Sequence, residues 1–345
     1  MYYREDTIEV NVGNLIIGGS NQVLLQSMTN TKTSDAKATI EQVGLLAAAG
    51  AALVRVAVPD SQALQALPEI VSKSTVPIVA DIHFDYKLAL GAIEAGVAKL
   101  RINPGNIGSQ ERVKQIIALA KKKGTAIRVG VNMGSIGEAE NKVKYALQVL
   151  DEYISFFKEN KFHALVISLK ASDVTTNLEL NKKYAKNYKY PLHLGVTEAG
   201  FGTDAIVRSS VGIGSLLLKG LGNTVRVSVA GNPLQELPIA KAILQSVGLL
   251  ENAVEIIACP TCGRTSLDTE KVAREVKEKT KDLGRKLKIA VMGCEVNGPG
   301  EAADADYGIC GSKKQGIIFA KGKIVKKVPM ENVVDELLKM VNGEE

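Results

Sequence analysis

The sequence predicts a (β/α)8 barrel followed by a small α+β domain. Three observations carry this prediction: eight short apolar segments alternate with amphipathic ones, their spacing is even from Val23 to about Leu250, and the rhythm changes after Gly248. Eight strand–helix units over about 230 residues are typical of such a barrel, and a doubly wound sheet is the alternative. We place the two domains at residues 1–250 and 251–345.

The predicted barrel strands are short runs of aliphatic and β-branched residues. They cover residues 23–28, 53–58, 77–82, 98–103, 126–131, 164–169, 193–198 and 225–230. Helix signals stand between them: Asp35 precedes a helical segment that stops at Gly50, and Ser109 precedes one that stops at Gly124. Ahead of the barrel, residues 7–19 predict a hairpin that turns at Gly13-Asn14 and covers the barrel bottom.

After Gly248 the predicted order of elements is βαβ-like. The run EIIACPTCGR is followed by a charged helix from Asp268 to about Leu283, then by KIAVMGCEVNGPGEA, YGICGSKKQGIIFAKGKIVKKV and a last helix. All four cysteines of the chain lie in this part. So few cysteines make a poor disulfide framework and a better metal site in a reducing compartment.

Composition narrows the class of protein. A hydrophobic fraction of 46% is ample for a core, and the net charge of +6 suits an anionic substrate or an acidic partner. Aromatic residues interleaved with basic ones are missing from the sequence, so nucleic-acid binding is disfavoured. The N-terminus lacks a secretory signal and the longest apolar stretch is broken by Arg55. We therefore expect a cytoplasmic protein.

Basic residues stand in the predicted barrel strands where apolar residues are expected. Arg55, Arg101 and Arg128 lie inside strands, and Lys170 follows one. An unpaired buried charge costs several kcal/mol, so one such residue is most often half of an ion pair. Four of them on four strands, near the active face of a barrel, indicate an anion site for phosphate or diphosphate. Four independent salt bridges remain the alternative.

Further polar residues stand at the same predicted mouth. Asp81 and His83 end the third strand, and Glu198 ends the seventh. Glu198, an acid over a basic site, is a candidate proton donor, and pairing with an arginine is the alternative. Asn132 and Ser228, at the ends of strands five and eight, are candidate ligand donors or helix caps.

The cysteine pattern indicates a metal centre and leaves its fourth ligand open. Cys259-x-x-Cys262 alone fits zinc, a cluster or a redox dithiol, but a zinc ribbon would prefer a second close pair. Iron–sulfur ligation tolerates scattered cysteines. The turns in NGPGE, after Cys294, can return Glu301 towards it, and a carboxylate would leave an iron that opens to substrate. Cys310 is the rival fourth ligand, and an exposed loop carboxylate is the remaining interpretation of Glu301.

ACPTCGR followed by GCEVNGPGEA resembles the cluster motif of the 4-hydroxy-3-methylbut-2-enyl diphosphate synthase family of the non-mevalonate isoprenoid pathway. The resemblance extends over nearly the whole chain, through LLQSMTNT, LVRVAVP, DIHFDYKLAL, KLRINPGN, IRVGVNMGS, LKAS, GVTEAG and GIGSLLLKGLGNTVRVS. It implies the two-domain bacterial type: a TIM barrel, then a ferredoxin- or sulfite-reductase-like domain with one [4Fe-4S] cluster.

The resemblance also implies roles for individual residues. The iron ligands of the cluster fall on Cys259, Cys262, Cys294 and Glu301. Glu198 is the implied acid/base group, and Glu301 also takes part in catalysis. The residues that would hold the substrate are Arg55, Arg101, Arg128, Lys170, Asn132, Ser228, Arg226 and His83. Cys310 is not a cysteine that the motif calls for.

The implied reaction is the reductive ring opening and dehydroxylation of 2-C-methyl-D-erythritol 2,4-cyclodiphosphate to 4-hydroxy-3-methylbut-2-enyl diphosphate. Implied partners are reduced flavodoxin or ferredoxin as electron donor and a homodimer, with the cluster domain of one subunit over the barrel of the other. One alternative is a barrel that binds a phosphorylated metabolite beside a metal-stapled interaction module. A second alternative, a barrel enzyme of pterin or corrinoid chemistry, is a weaker hypothesis because it leaves the cysteine domain without a function.

Overall fold

The computed structural model describes residues 2–132, 141–250, 252–296, 298–312 and 315–343. The chain divides into two compact units, Met1–Leu249 and Leu250–Glu345. Asn297 of the predicted turn and the last residues of IRVGVNMGS lie outside the described residues.

The first unit alternates strands and helices after an N-terminal hairpin. Its strands are β1 Val10–Val12, β2 Leu15–Ile17, β3 Leu24–Met28, β4 Leu53–Ala57, β5 Ile78–Asp81, β6 Lys99–Ile102, β7 Ala126–Asn132, β8 Leu165–Lys170, β9 His193–Leu194 and β10 Thr224–Val225. Its helices are α1 Ala36–Ala48, α2 Ser61–Lys73, α3 Tyr86–Glu94, α4 Gln110–Lys123, α5 Lys142–Glu159, α6 Val174–Asn187, α7 Gly202–Leu218 and α8 Glu236–Ser246.

Strands β3 to β10 form one eight-stranded parallel sheet in the order β8-β7-β6-β5-β4-β3-β10-β9. A parallel bridge between Ile167 and Leu192 brings β8 next to the residue before β9. The sheet therefore comes back on itself as a nearly closed barrel. The predicted barrel is confirmed, and the doubly wound alternative is wrong.

Two strands are much shorter than the sequence predicted. The runs 193–198 and 225–230 read as full strands, but β9 and β10 have two residues each. The chain turns at Thr197 and Glu198, which takes it out of the hydrogen-bonded ladder. Past the short strands, Arg226 N still donates to the carbonyl of Leu194 at 3.0 Å, and Ala230 N donates to the carbonyl of Gly200 at 3.1 Å.

Helix starts fix where each strand–helix connection ends. Asp35, Asp60, Asp85 and Asp173 each accept a hydrogen bond from a backbone N–H in the first turn of the helix that follows. Because all barrel strands run the same way, these connections gather at one end of the barrel, where the side chains of the strand ends also meet.

The opposite end is closed by the antiparallel hairpin β1–β2. Gly13, at its turn, has φ +61° and lies so close to Pro77 that a Cβ would be 3.1 Å from that ring. The hairpin and the lower ends of the strands share one apolar cluster, made of Val10, Val12, Ile17, Leu53, Val79, Ala126 and Val166. This end of the barrel is therefore apolar and packed.

The second unit is a mixed sheet with helices on both faces. Its elements are β11 Val254–Ala258, α9 Thr269–Thr280, β12 Leu287–Met292, α10 Gly298–Glu301, β13 Tyr307–Gly311, β14 Gly316–Ala320, β15 Lys323–Val328 and α11 Val333–Asn342. Helices α9 and α11 lie on one face and the short α10 lies on the other. The sheet order is β11-β12-β13-β14-β15, with β11, β12 and β13 parallel. This confirms the small α+β domain.

The two faces of this sheet carry different cores. On one face Ile289 and Ile309 pack with Val276 of α9 and Leu337 of α11. The other face carries Cys310 and its neighbours in a second cluster. In the described part of the chain, no helix combines the length and the apolar character that crossing a membrane requires.

Candidate functional site

A cavity of about 320 Å³ opens at the carboxyl ends of the barrel strands. Its polar lining consists of Arg55, Asp81, His83, Arg101, Arg128, Asn132, Ser168, Lys170, Thr197, Glu198, Arg226 and Ser228. All eight residues predicted to hold substrate, and the predicted acid/base group, thus lie around one space. Their roles stay predictions.

Asp81 contacts three side chains on one side of the cavity. Arg101 donates from Nη1 to Oδ1 of Asp81 at 2.9 Å, and Arg55 Nη1 lies 3.6 Å from Oδ2. His83 Nε2 lies 3.5 Å from Oδ1 and 2.6 Å from Nη1 of Arg101. Burial alone would raise the pKa of Asp81, but the His83 hydrogen bond and the two arginines hold that pKa well below its usual range.

A second carboxylate holds Arg226 from behind. Glu236, the first residue of α8, is 3% exposed and accepts from Nη2 of Arg226 at 3.0 Å and from Nε at 3.3 Å. Ser27 of β3 donates to the same carboxylate at 3.1 Å. A two-pronged contact of this kind fixes the plane of the guanidinium as well as its position.

The other two cations have no carboxylate against them among the described residues. Arg128 is buried, and its Nε and Nη1 lack a hydrogen-bond partner there. Lys170 lies against Gly195, where a Cβ would be 2.5 Å from its Nζ. Burial lowers the pKa of both side chains well below the usual values, and neighbouring arginines lower it further. The salt-bridge interpretation of the strand cations is therefore wrong for these two.

The charges around the cavity do not balance. Its lining holds five cationic side chains, two carboxylates and His83, and Glu236 behind Arg226 is a third carboxylate. Five cations against three carboxylates leave an excess of two positive charges, without His83. Desolvated cations of this kind call for an anion that brings the missing charge. A dianion fits this balance.

Glu198 stands on strained backbone at the rim. Its φ is +54°, a left-handed conformation that costs a residue with a Cβ about 1–3 kcal/mol. It lies in the turn that ends the extended run after β9, and its side chain is exposed. Such strain is common where function needs a side chain at one place. The turn holds this carboxylate over a basic cavity.

In the second unit, the ends of two neighbouring strands bring cysteines together. Cys259 follows β11 and Cys294 follows β12, and the two strands pair up to Ala258 and Val291. The N–H of Cys259 donates to Val291 O at 3.1 Å, and the N–H of Gly293 donates to Sγ of Cys259 at 3.0 Å. An N–H bond to a ligand sulfur is one of the contacts by which proteins tune iron–sulfur clusters.

The loop of Cys262 folds back to the same place. Thr265 Oγ1 accepts from the N–H of Cys262 at 3.0 Å, and Ser266 N donates to Gly293 O at 2.8 Å. Within the described ranges, no three Cys, His, Asp or Glu side chains surround one point closely enough for a single metal ion. Cys259, Cys262 and Cys294 thus lie in one region of this unit, and thiolate donors suit an iron–sulfur cluster.

Cys310 lies inside the sheet core. It is fully buried among Met292, Ile317 and Phe319, and a Cβ on Gly298 would be 2.6 Å from its Sγ. Burial raises the pKa of its thiol to about 11, with a further contribution from Glu295. Glu301, in contrast, is exposed at the end of α10. Of the two candidates for a fourth ligand, Glu301 is the accessible one.

Two residues that lie at or near the cavity, Glu236 and Lys99, were not predicted from the sequence. Asp81 was predicted to stand at the mouth, but its contact with two arginines was not. Lys99 had a signal: it precedes Arg101 by two residues, so both face the same side of a strand. No sequence signal marked Glu236, because its contact with Arg226 depends on how α8 packs on the barrel.

Both units of the chain match models of one protein family. The family model described as GcpE TIM-barrel domain matches residues 7–241, and the model described as GcpE protein C-terminal domain matches residues 255–343. The 4-hydroxy-3-methylbut-2-en-1-yl diphosphate synthase (flavodoxin) of Geobacillus kaustophilus is 48% identical over 99% of this chain and 92% of its own. The proteins of that name from Bacillus subtilis and Clostridium perfringens are each 47% identical, over 99% and 98% of this chain and 92% and 99% of theirs.

Solved structures give the fold alone. A dihydropteroate synthase of Yersinia pestis matches 70% of this chain and 99% of its own with a TM-score of 0.53 and 11% identity. An N-acetylneuraminic acid synthetase of Leptospira borgpetersenii matches 80% of this chain and 98% of its own, with a TM-score of 0.51 and 14% identity. At such low sequence identities, the structural similarity says nothing about the reaction that this chain catalyses. With family models over both units and relatives nearly half identical over almost its full length, the chain belongs to the GcpE family.

Proposed function

We propose that this protein is a 4-hydroxy-3-methylbut-2-enyl diphosphate synthase. It opens the ring of 2-C-methyl-D-erythritol 2,4-cyclodiphosphate by reduction and removes one hydroxyl, giving linear 4-hydroxy-3-methylbut-2-enyl diphosphate. Two electrons enter, one carbon–oxygen bond to phosphate breaks, and the hydroxyl leaves as water with protons from the medium. The chain's near-half identity to enzymes of that name supports this assignment.

The observation that carries the proposal is the charge of the barrel mouth. The cavity has two more cations than carboxylates, and a cyclic diphosphate carries one negative charge on each phosphate. Arginine binds phosphate oxygens through two parallel N–H bonds, whereas lysine binds as a point charge. We assign substrate binding to Arg55, Arg101, Arg128, Lys170 and Arg226, with Asn132, Ser228 and His83 as further donors.

The residues of the barrel mouth have different roles in the proposed reaction. Asp81 and Glu236 orient the arginines, so that the guanidinium groups need not reorganise when the substrate arrives. Glu198, at the rim, delivers a proton to the departing hydroxyl. The buried walls of the cavity keep water from screening these charges.

The cysteine unit supplies the redox function. Cys259, Cys262 and Cys294 are the thiolate ligands of a proposed [4Fe-4S] cluster, and Glu301 is its fourth ligand. Such a cluster, when bound, passes electrons one at a time. The N–H of Gly293 against Cys259 Sγ supports this site. A carboxylate is exchanged more easily than a thiolate, so Glu301 rather than Cys310 would suit a cluster with one exchangeable ligand.

The partners follow from charge and exposure. Electrons come from reduced flavodoxin or ferredoxin, small acidic proteins that the net charge of +6 would attract in the cytoplasm. Phe84 and Phe201, which follow strand ends at the barrel mouth, are 74% and 75% exposed. Large apolar side chains so exposed support a covering partner. We propose that the cluster domain of a second copy covers this mouth in a homodimer.

The proposal is tested by turnover without air, with reduced flavodoxin as donor and phosphorus NMR to follow the two diphosphates. The parent is expected to form the linear product. Arg128→Met removes one unpaired cation and should raise KM strongly, whereas Glu198→Gln should lower kcat with little change in substrate affinity. Lys73→Met, at an exposed ion pair, is the control. Failure of the parent to consume the cyclic diphosphate would refute the assignment.

Metal analysis separates this function from the interaction-module alternative. Protein purified without air should hold about four irons and four sulfides per chain and little zinc. Cys310→Ser should retain them, and Glu301→Ala should lose iron or turnover. Zinc in place of iron, or a site emptied only by the Cys310 change, would favour the closed structural module.

A further inference from the structure

Beneath the cavity, the interior of the barrel is polar. Lys99 of β6 and His193 of β9 are 0% exposed, and Gln26 of β3 is 2% exposed. Among the described residues, Lys99 Nζ, both amide atoms of Gln26 and Nε2 of His193 lack a hydrogen-bond partner. His193 Nδ1 lies 2.9 Å from Thr224 Oγ1. We call these four residues the buried polar layer.

Strand geometry puts this layer one step below the cavity. Lys99 precedes Arg101 by two residues, so their side chains face the same way and are about 6.6 Å apart along the strand. Gln26 precedes Met28 in the same way, and the Met28 sulfur accepts from Arg55 Nε at 3.0 Å. Below the layer comes the apolar cluster that closes the barrel bottom. Lys99 is thus enclosed between apolar side chains and the cations of the mouth.

The charges near Lys99 are mostly positive. Those that act on it most are Arg128 of β7 and Arg55 of β4. Among the described residues, the other charged or titratable groups around this part of the barrel are Arg101 on its own strand, Lys170 of β8, His193 of β9, Arg226 after β10, Asp81 of β5, Glu198 after β9 and Glu236 of α8. Glu236 is engaged by Arg226, and Glu198 is exposed at the rim. Asp81 is already engaged by two arginines. An ammonium at Lys99 therefore has neither water nor a counter-charge of its own.

We propose that Lys99 is a further positioning residue of the anion site, which takes up a proton from solvent when a dianion fills the barrel mouth. Lys99 does not line the cavity as Lys170 does, and in the free protein burial and the arginines disfavour a charge on its amine. A bound dianion offsets the arginines, the amine becomes an ammonium, and its charge then attracts the ligand in turn. The inference takes its ligand from the proposed function but requires only a dianion.

The sign of the pH effect follows from linkage. A group that gains a proton on binding makes binding tighter at lower pH. Between the pKa of the free protein and that of the complex, the dissociation constant rises about tenfold per pH unit for each proton taken up. Affinity for the dianion should therefore fall as pH rises.

The test is calorimetric titration of the full-length protein, purified without air and kept without reductant, with the cyclodiphosphate. The cyclic diphosphate has no group that titrates near pH 8. Heats measured there in two buffers of different ionisation enthalpy therefore count the protons that the protein takes up. We expect net uptake by the parent and about one proton fewer per site in Lys99→Met. Gln26→Met, an uncharged change in the same layer, should behave as the parent. Lys99→Gln serves if the methionine variant does not fold.

Two results would overturn the inference: a parent that takes up no proton, or Lys99 variants that take up as many as the parent. In the second case His193 or Lys170 would be the acceptor. Inorganic diphosphate, titrated in parallel, separates this inference from the proposed function. It is mostly a trianion at pH 8 and itself titrates there, so only the proton difference between the parent and the Lys99 variants is taken from it. If only inorganic diphosphate binds, and the proton difference persists, the proposed substrate fails and Lys99 keeps its role. If neither probe binds, both proposals fail.

Discussion

Removing the carboxylate behind Arg226 should destabilise the barrel. Glu236→Ala leaves a mostly buried guanidinium unpaired, and breaking one partner of a buried ion pair costs about 3–5 kcal/mol. Arg226 keeps 16% of its side chain exposed, which favours the lower end. Ser27 loses its acceptor as well, which adds about 1 kcal/mol. A loss of about 4 kcal/mol corresponds to a fall in Tm of roughly 8–16 °C for a domain of this size.

The assay is thermal unfolding of parent and variant under identical conditions, followed by calorimetry. Glu69→Ala is the matched control, because Glu69 pairs with Lys73 at a similar distance of 2.8 Å, but on the exposed face of α2. That pair should contribute less than about 1 kcal/mol. If Glu236→Ala cost no more than Glu69→Ala, the view that Glu236 holds Arg226 as a buried counter-ion would be refuted.

Three further changes test other parts of the site. Glu198→Gly should relieve the left-handed strain, stabilise the barrel by about 1 kcal/mol in urea unfolding and lower turnover. Lys161→Gly, at φ +54°, is the control and should raise stability without changing turnover. A less stable Glu198→Gly protein would contradict the strain argument. Gly195→Ala should displace Lys170 and press on the backbone of Arg226, whose carbonyl would be 2.9 Å from the new Cβ, and so weaken cyclodiphosphate binding about tenfold or more in calorimetry. Gly214→Ala, with nothing near its new Cβ, should not, and equal affinities would show that binding does not depend on this side of the cavity. Folding lowers the pKa of Asp81, so the stability that Asp81 contributes is present above about pH 4 and is lost as pH falls. In Asp81→Asn, the unfolding free energy should therefore fall less steeply with acid than in the parent. Equally steep falls in parent and variant would contradict this prediction.

Much of the barrel could be predicted from sequence because its signals are local. Aliphatic runs, capping aspartates such as Asp35 and terminal glycines such as Gly124 each act within a few residues, and the structure has strands or helix ends there. The two last strands were predicted too long because their runs are as apolar as the others. The residues around Thr197 contain no pattern that predicts a turn, so the end of hydrogen bonding between the strands could not be foreseen.

The electrostatics of the mouth could be predicted only in outline. Cations on several strands indicated an anion site, but which of them has a counter-ion depends on contacts between distant segments. Arg226 meets Glu236 because α8 packs beside β3, whereas Lys170 lies beside Gly195 with no carboxylate against it among the described residues. The sequence left Cys310 open as a ligand for the same reason. Its burial follows from a sheet register that pairs it with Met292 and Ile317.

The central claim is that this chain reduces a cyclic diphosphate held at its barrel mouth. The most direct measurement is a phosphorus NMR spectrum of 2-C-methyl-D-erythritol 2,4-cyclodiphosphate after incubation, without air, with the protein and reduced flavodoxin. The account predicts that the two signals of the cyclic compound are replaced by those of a linear diphosphate, and that this requires both the protein and the reductant. A spectrum in which the cyclic diphosphate persists, although the protein carries its iron, would contradict the account.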